Sequence, residues 1–509
     1  MEKAETQTHF IGVDALFQYI GSGVQFISGL VFYLIAVRLF STTSIGAIAL
    51  FVAIIGLFNI IFSFGLATAS QHFTSYDLGK RDYASVRKTV QKIILYGFCL
   101  SVAGLASLEV LSGELSKIFL HSIVYTGLVR LLGIVLFGNI MFSILNGIML
   151  GIQQFRLSAI MSIVIWVSYY LGAILFAVFL RSIETIVFGW IIGIFLGVSI
   201  ELIVILSFIR KYLGVGISPS NLDIFSYSFP VLLSGIISYG ASYADRLVVS
   251  GFLNLSTLGV YNFALLIATA ISFLAFPFNN ILMPKFSEFF GKGDKVMIST
   301  TAEVSATLLS YFYVPSALGI AALAPMLLEV LGGHNYIPGE VPLMIIMFAT
   351  SIFVTQNILA QAVASVRKTK LFIYSSGFSL AGNVILSIIL IPHFGLVGAA
   401  LAYSSVYGIT FFILYYFATK ESLITLDGYG IFKVWISALL MYVVVSLFSR
   451  MTGMSLTLLP IYILIGIVTY IGLTKAAVIF KKENKELILS LFPSRLKLLK
   501  KILLIIVLH

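Results

Sequence analysis

Charge is scarce in this 509-residue chain. Only 10% of its residues are Asp, Glu, Lys or Arg, while 60% are hydrophobic and the mean hydropathy is +1.08. Ordinary soluble domains carry about 25% charged residues, so a soluble globular enzyme is excluded. Cysteine is scarcer still: Cys99 stands alone, so no internal disulfide can form and the redox compartment is not legible. No G-x-x-x-x-G-K-[ST] sequence occurs, which removes the usual phosphate cradle for ATP hydrolysis. The six histidines, at 9, 72, 121, 334, 393 and 509, include no i,i+4 pair, so no metal and no cofactor is expected. Proline is missing before Pro219. Several of the eleven prolines then fall inside apolar runs (Pro230, Pro277, Pro315, Pro325), where a freed carbonyl permits a kink. The opening residues MEKAETQTHFIG lack a basic n-region, so no cleavable signal peptide is expected.

What fills the chain instead is long apolar runs. Stretches able to cross a ~30 Å hydrocarbon core occur near 13–37, 45–67, 89–111, 126–151, 157–180, 185–208, 224–250, 258–282, 303–330, 341–365, 371–391, 395–418, 431–448 and 456–478. Their hydrophobicity is continuous rather than alternating, which predicts an all-α polytopic membrane protein of about fourteen helices and not a barrel. The net charge of +11 therefore points to loop topology rather than to nucleic acid. With the N-terminus inside, 25 Lys and Arg fall in cytoplasmic segments and 4 in outer loops, with Arg130 and Arg246 inside spans. That asymmetry places both termini in the cytoplasm.

The chain also repeats itself. Phe40-Ser-Thr-Thr-Ser-Ile-Gly46 corresponds to Leu253-Asn-Leu-Ser-Thr-Leu-Gly259 at an offset of 213, and Gly79-Lys-Arg-Asp82 to Gly291-Lys-Gly-Asp294 at 212. Basic turns at Arg156 and Arg367, and at Arg210 and Lys420, keep nearly the same spacing. A tandem six-helix duplication with parallel orientation follows, related by a pseudo-two-fold along the membrane normal. The expected organisation is an N-lobe over 1–211, a cytoplasmic linker over 212–223 and a C-lobe over 224–420. Two extra helices over 421–480 and a basic, leucine-rich cytoplasmic tail over 481–509 complete it. The tail reads either as an interfacial amphipathic helix on anionic lipid or as a frayed end.

Chemistry must then be sought in polarity placed inside the membrane, where a charge costs about 2.5–3.5 kcal/mol on insertion scales. Gln18, Ser22 and Gln25 share one helical face, as do Ser234, Ser238, Ser242 and Asp245. Asn139, Ser143 and Asn146 lie in the fourth span; Thr350, Asn357 and Gln361 lie in the tenth. These stripes either line a polar interlobe cavity or serve interhelical hydrogen bonding within each bundle. Arg130, Asp245, Arg246 and Glu201 are the buried charges. The arginines could meet phosphate, and the carboxylates Asp245 and Glu201 could carry a coupling ion, or an Arg130–Asp245 pair could be structural. The longest stretch between spans, Thr68–Lys88, is too short for a catalytic domain, so an enzyme such as a membrane glycosyltransferase or polymerase is not expected.

Two six-helix lobes, Arg38-Leu-Phe-Ser41 with Gly46, and Pro230 followed by Asp245-Arg246 and Leu258-Gly-Val-Tyr-Asn-Phe-Ala264 resemble the multidrug/oligosaccharidyl-lipid/polysaccharide exporter superfamily. Pro284-Lys-Phe-Ser-Glu288 and Ile391-Pro-His-Phe-Gly-Leu-Val-Gly-Ala-Ala400 are similar to its polysaccharide-export branch. The resemblance implies a cell-membrane flippase that moves a polyprenyl-linked oligosaccharide to the outer leaflet, its lobes rocking between inward- and outward-open states. It also implies basic residues, here Arg130 and Arg246, at the anionic head group. Membrane lipid, a glycan polymerase or ligase, and a monomeric state complete the expectation. The alternative is a cation-coupled drug or metabolite exporter.

Overall fold

The structure is a computed structural model that describes residues 2–210, 221–272, 276–366, 370–420 and 424–479. Most of the expected linker and all of the basic tail lie outside the described residues, as do Arg367 and the Pro277 side chain. Every regular element is helical among the described residues, as an apolar chain must be when lipid offers no partner to a backbone amide.

Two compact units divide the chain, Met1–Gly259 and Val260–His509. The first begins with α1 (Glu2–Leu39), α2 (Thr42–Ser63), α3 (Leu66–Gly79) and α4 (Tyr83–Phe119). It continues through α5 (Thr126–Gly151), α6 (Phe155–Leu180), α7 (Ile183–Ile209) and α8 (Asn221–Phe252), and ends on the first turn of α9 (Leu255–Ser272). Small residues set its closest helix pair. A Cβ on Gly193 of α7 would come within 2.4 Å of the Tyr169 Cα on α6, so only glycine permits that approach. Helix α8 packs on α2 and α3.

The second unit holds α10 (Phe276–Gly291), α11 (Lys295–Ala322), α12 (Ala324–Gly332), α13 (Glu340–Thr350), α14 (Phe353–Ser365), α15 (Lys370–Lys420), α16 (Gly428–Met451) and α17 (Leu459–Ala477). Helices α16 and α17 dock on α11, where the Tyr470 hydroxyl donates to the Tyr311 carbonyl at 2.8 Å. Pro325 was expected inside a span; it sits in the first turn of α12, where its missing N–H costs little.

Among the described residues, thirteen segments are long and apolar enough to cross a membrane. The longest, α15, has 51 residues, and at about 1.5 Å per residue a straight helix of that length would exceed twice the ~30 Å core. It is not straight: Gly395 takes φ 54°, ψ −127°, and the chain folds back so that Ser379 Oγ lies 2.7 Å from Thr410 Oγ1. Counting α15 twice gives fourteen crossings in a multi-pass membrane protein.

The repeat is visible bond by bond. Asp82 and Asp294, 212 apart, accept from Ser85 N and Met297 N and so start α4 and α11. The preceding residues, Arg81 and Gly293, both take positive φ (58° and 73°). The closing bonds match as well, Asp82 N to Asp77 O and Asp294 N to Phe289 O. Ser41 and Asn254, 213 apart, cap α2 and α9 in the same way.

One stretch departs from expectation. Thr68–Gly79, read above as part of a loop, is helical: α2 breaks at Phe64 and Gly65 (φ 50° and 71°) and restarts as α3. Its polarity disguised it, since α3 is held by close packing rather than by an apolar stripe. A Cβ on Gly147 of α5 would stand 2.3 Å from the Ala67 carbonyl oxygen.

The repeat-related glycines Gly46 and Gly259 meet reciprocally inside the first unit. A Cβ on Gly46 would lie 1.9 Å from Leu255 O, and one on Gly259 2.0 Å from Thr42 O. Gly46→Ala and Gly259→Ala are each expected to destabilise the detergent-solubilised protein by about 1–3 kcal/mol through overpacking. Gly113→Ala, with no atom within 4 Å of its added Cβ, should leave the melting temperature unchanged or raise it. Thermal melting followed by size-exclusion recovery checks both.

Candidate functional site

Two stripes with the same spacing face one cavity in the first unit. Gln18, Ser22 and Gln25 on α1 lie at i, i+4 and i+7, as do Asn139, Ser143 and Asn146 on α5, and both stripes line a space of about 410 Å³. Asn59 of α2, Thr68 and Gln71 of α3, and Ser162 and Trp166 of α6 complete its wall. The helix break at Phe64–Gly65 brings α3 to this wall, because a straight α2 would carry Thr68 and Gln71 elsewhere.

The wall is ordered by its own hydrogen bonds. Gln18 Nε2 donates to the Phe155 carbonyl at 2.6 Å, tying α1 to the start of α6. Ser158 Oγ donates to Asn146 Oδ1 at 2.5 Å, and Asn139 Nδ2 to the Val135 carbonyl at 3.1 Å. Asn59 Oδ1 is buried with no hydrogen-bond partner among the described residues. Trp166 is braced edge-on by Phe142, centroids 5.8 Å apart at 86°.

Of the residues singled out from sequence, the structure gathers Gln18, Gln25, Asn139 and Asn146 here. Sequence reasoning missed Asn59, Thr68, Gln71, Ser162 and Trp166. The i, i+4 spacing of Ser162 and Trp166 was the available signal, whereas Thr68 and Gln71 were hidden in a segment read as loop.

The charged candidates lie apart from this cavity. Asp245 on α8 is fully buried, and Arg246 Nη1 stands 3.7 Å from its Oδ1 and donates to the Ser242 carbonyl at 2.9 Å. The Arg246 guanidinium also covers the Tyr243 ring at 4.4 Å, a cation–π contact. Tyr243 stacks in turn on Tyr239, whose hydroxyl donates to Ala53 O of α2. Arg130 does not pair with Asp245; its Nε is 3.3 Å from Glu109 Oε1 on α4, with both side chains more than half exposed. Glu201 on α7 is fully buried, and neither carboxyl oxygen has a hydrogen-bond partner among the described residues.

In the second unit, Gln361 Nε2 donates to Asn357 Oδ1 at 3.4 Å, one turn apart on α14. A separate apolar cleft of about 540 Å³ opens between α11, α16 and α17, lined by Tyr311, Pro315, Met441, Val445, Tyr462 and Ile467 among others. Outside the spans, the Ser85 hydroxyl and amide hold the Asp82 carboxyl below the usual carboxylate range. Burial pushes Asp77 up against the opposing bond from Thr89.

Solved structures share this architecture. The chain is 17% identical to the lipid II flippase MurJ in an inward closed conformation, with a TM-score of 0.71 over 93% of this chain and 100% of that one. An inward-facing multidrug resistance MATE family transporter of the MOP superfamily is 14% identical, with a TM-score of 0.65 over 78% of this chain and 94% of that one. At these identities the likeness is one of fold. In sequence, the chain is 23% identical over 253 residues to the "Probable low-salt glycan biosynthesis flippase Agl15" of Haloferax volcanii, covering 50% of this chain. It spans 54% of that relative's length and 38% of another curated relative's. The polysaccharide biosynthesis protein family matches residues 35–339, more than half of the sequence. With its duplicated helical architecture, this chain belongs to the polysaccharide biosynthesis protein family, within the fold shared by MurJ and the MATE transporters of the MOP superfamily.

Proposed function

We propose that this protein is a cell-membrane flippase that moves a polyprenyl-(pyro)phosphate-linked oligosaccharide from the cytoplasmic to the outer leaflet by alternating access. The observation that carries the reading is a polar cavity walled by membrane helices in a chain of the polysaccharide biosynthesis family. A sugar head group crossing hydrocarbon unaided would leave each hydroxyl unpaired, at several kcal/mol apiece. A polar cavity supplies replacement bonds while the lipid tail stays in the bilayer. The Haloferax relative, a probable glycan flippase by name, supports the same reading.

In this account the protein performs no covalent chemistry and both termini face the cytoplasm, consistent with the distribution of Lys and Arg. It acts as a monomer beside a glycan polymerase or ligase. Gln18, Gln25, Asn139 and Asn146 meet the substrate from the N-lobe, and Asn357 and Gln361 from the C-lobe. Arg246 and Arg130 attract the phosphate, and Asp245 and Glu201 carry a coupling ion. Of the two arginines, Arg246 suits a desolvated phosphate better, because its side chain is only 11% exposed while that of Arg130 is 56% exposed. The MATE-like fold supports one rival, a cation-coupled multidrug exporter. Cells lacking such an exporter would keep their surface glycan and become drug-sensitive.

A deletion strain is expected to lose surface glycan and to accumulate its lipid-linked precursor in the cytoplasmic leaflet, as read by glycan staining and by precursor accessibility. Normal glycan with new drug sensitivity would favour the exporter. Arg246→Ala should lower surface glycan at least ~10-fold, the loss of one charge-assisted contact of about 1.4 kcal/mol or more, with protein abundance retained. Glu201→Gln, nearly isosteric, should preserve abundance while abolishing the response of transport to an imposed pH gradient. A response equal to wild type would remove Glu201 from coupling.

A further inference from the structure

The wall of the unit 1 cavity is polar without being charged. Six primary amides reach it, four hydroxyl side chains join them, and no Lys, Arg, Asp or Glu does. This composition discriminates between the two parts of a glycolipid head group. A hydroxyl donates and accepts at once, and a primary amide answers both demands from one planar group. Neighbouring ring hydroxyls therefore find paired partners along the α1 and α5 stripes. A phosphate only accepts, and stripping its water without a cation or a convergent set of donors is costly. Neither intramembrane arginine lines this cavity.

Two further features fit a sugar ring. Trp166 brings an indole to the wall, with Phe142 edge-on to it and Tyr170 stacked on it at 6.0 Å, and the C–H face of a pyranose can lie against the part of the ring that fronts the cavity. Thr68 and Gln71, exposed on α3, present a hydroxyl and a further amide to the ring hydroxyls. The volume of about 410 Å³ lies in the ~300–1,000 Å³ range of small-ligand cavities. That admits a short glycan end.

We infer that this cavity is a neutral-pyranose subsite, holding uncharged sugar of the head group by amide–hydroxyl pairs and by stacking on Trp166, while the phosphate is held elsewhere. The inference rests on the flippase reading and refines it: sugar and charge are recognised at separate places.

The test uses the full-length protein in nanodiscs carrying Trp190→Phe and Trp435→Phe, which leaves Trp166 as the sole indole. Its fluorescence is titrated with a panel of neutral methyl glycosides and disaccharides, and separately with inorganic pyrophosphate. At least one neutral glycoside should quench Trp166 saturably, and pyrophosphate should not. Gln71→Ala and Thr68→Val, both on the exposed face of α3, should each weaken that binding several-fold, whereas Ser207→Ala, exposed on α7 and outside the cavity lining, should leave it unchanged. Should a variant fail to fold, the glycoside-against-pyrophosphate comparison on the parent protein still decides. Quenching by pyrophosphate, or by no glycoside in the panel, overturns the subsite. Loss of surface glycan in the deletion strain alongside either result would leave the flippase reading standing and remove only the subsite.

Discussion

A carboxamide inside a membrane has no water to bond, so it must find protein, line a cavity or meet a ligand. Much of the first unit follows from that constraint. Gln18 bonds the Phe155 carbonyl and Asn146 accepts from Ser158, and these contacts fix how α1, α5 and α6 stand around the cavity. Satisfying one end of each amide leaves its other end available to the interior. Asn59 Oδ1, buried without a partner among the described residues, shows that the wall is not self-satisfied. A bundle built only for packing would have filled the space with side chains, as glycine-mediated contact fills the α6–α7 interface.

Helix breaks carry the second half of the design. Phe64 and Gly65 end α2 in left-handed conformations so that α3 can restart against α5, and Gly147 lets the two backbones approach. The same turn at Arg81–Asp82 and Gly293–Asp294, with matching caps and closing bonds, shows that the duplication reaches individual hydrogen bonds. Identity of side chain matters less than role: an arginine and a glycine hold the same left-handed position, and a serine and an asparagine cap the same helix start.

Much of this was legible in the sequence. Apolar runs locate the spans because lipid admits no other backbone, and the offset of 212–213 exposes the repeat through its turn residues. The i, i+4, i+7 stripes of α1 and α5 identified one pair of cavity walls. What escaped had physical reasons. Helix α3 lacks the apolar signature of a span, since it is held by small-residue contact with α5, and so its Thr68 and Gln71 were missed. Trp166 looks like any aromatic core residue until its neighbours are placed. The partner of Arg130 is Glu109, on a neighbouring helix, and the register of two helices is not written in the periodicity of either.

The central claim is transbilayer movement of a lipid-linked sugar by this chain alone. Purified protein reconstituted into proteoliposomes with a fluorescent polyprenyl-pyrophosphoryl oligosaccharide, probed by a membrane-impermeant lectin or reductant, measures it directly. The account predicts that probe in the protected leaflet becomes accessible in protein-containing vesicles and stays protected in protein-free ones. Protection that persists with folded, oriented protein under an imposed ion gradient would contradict it.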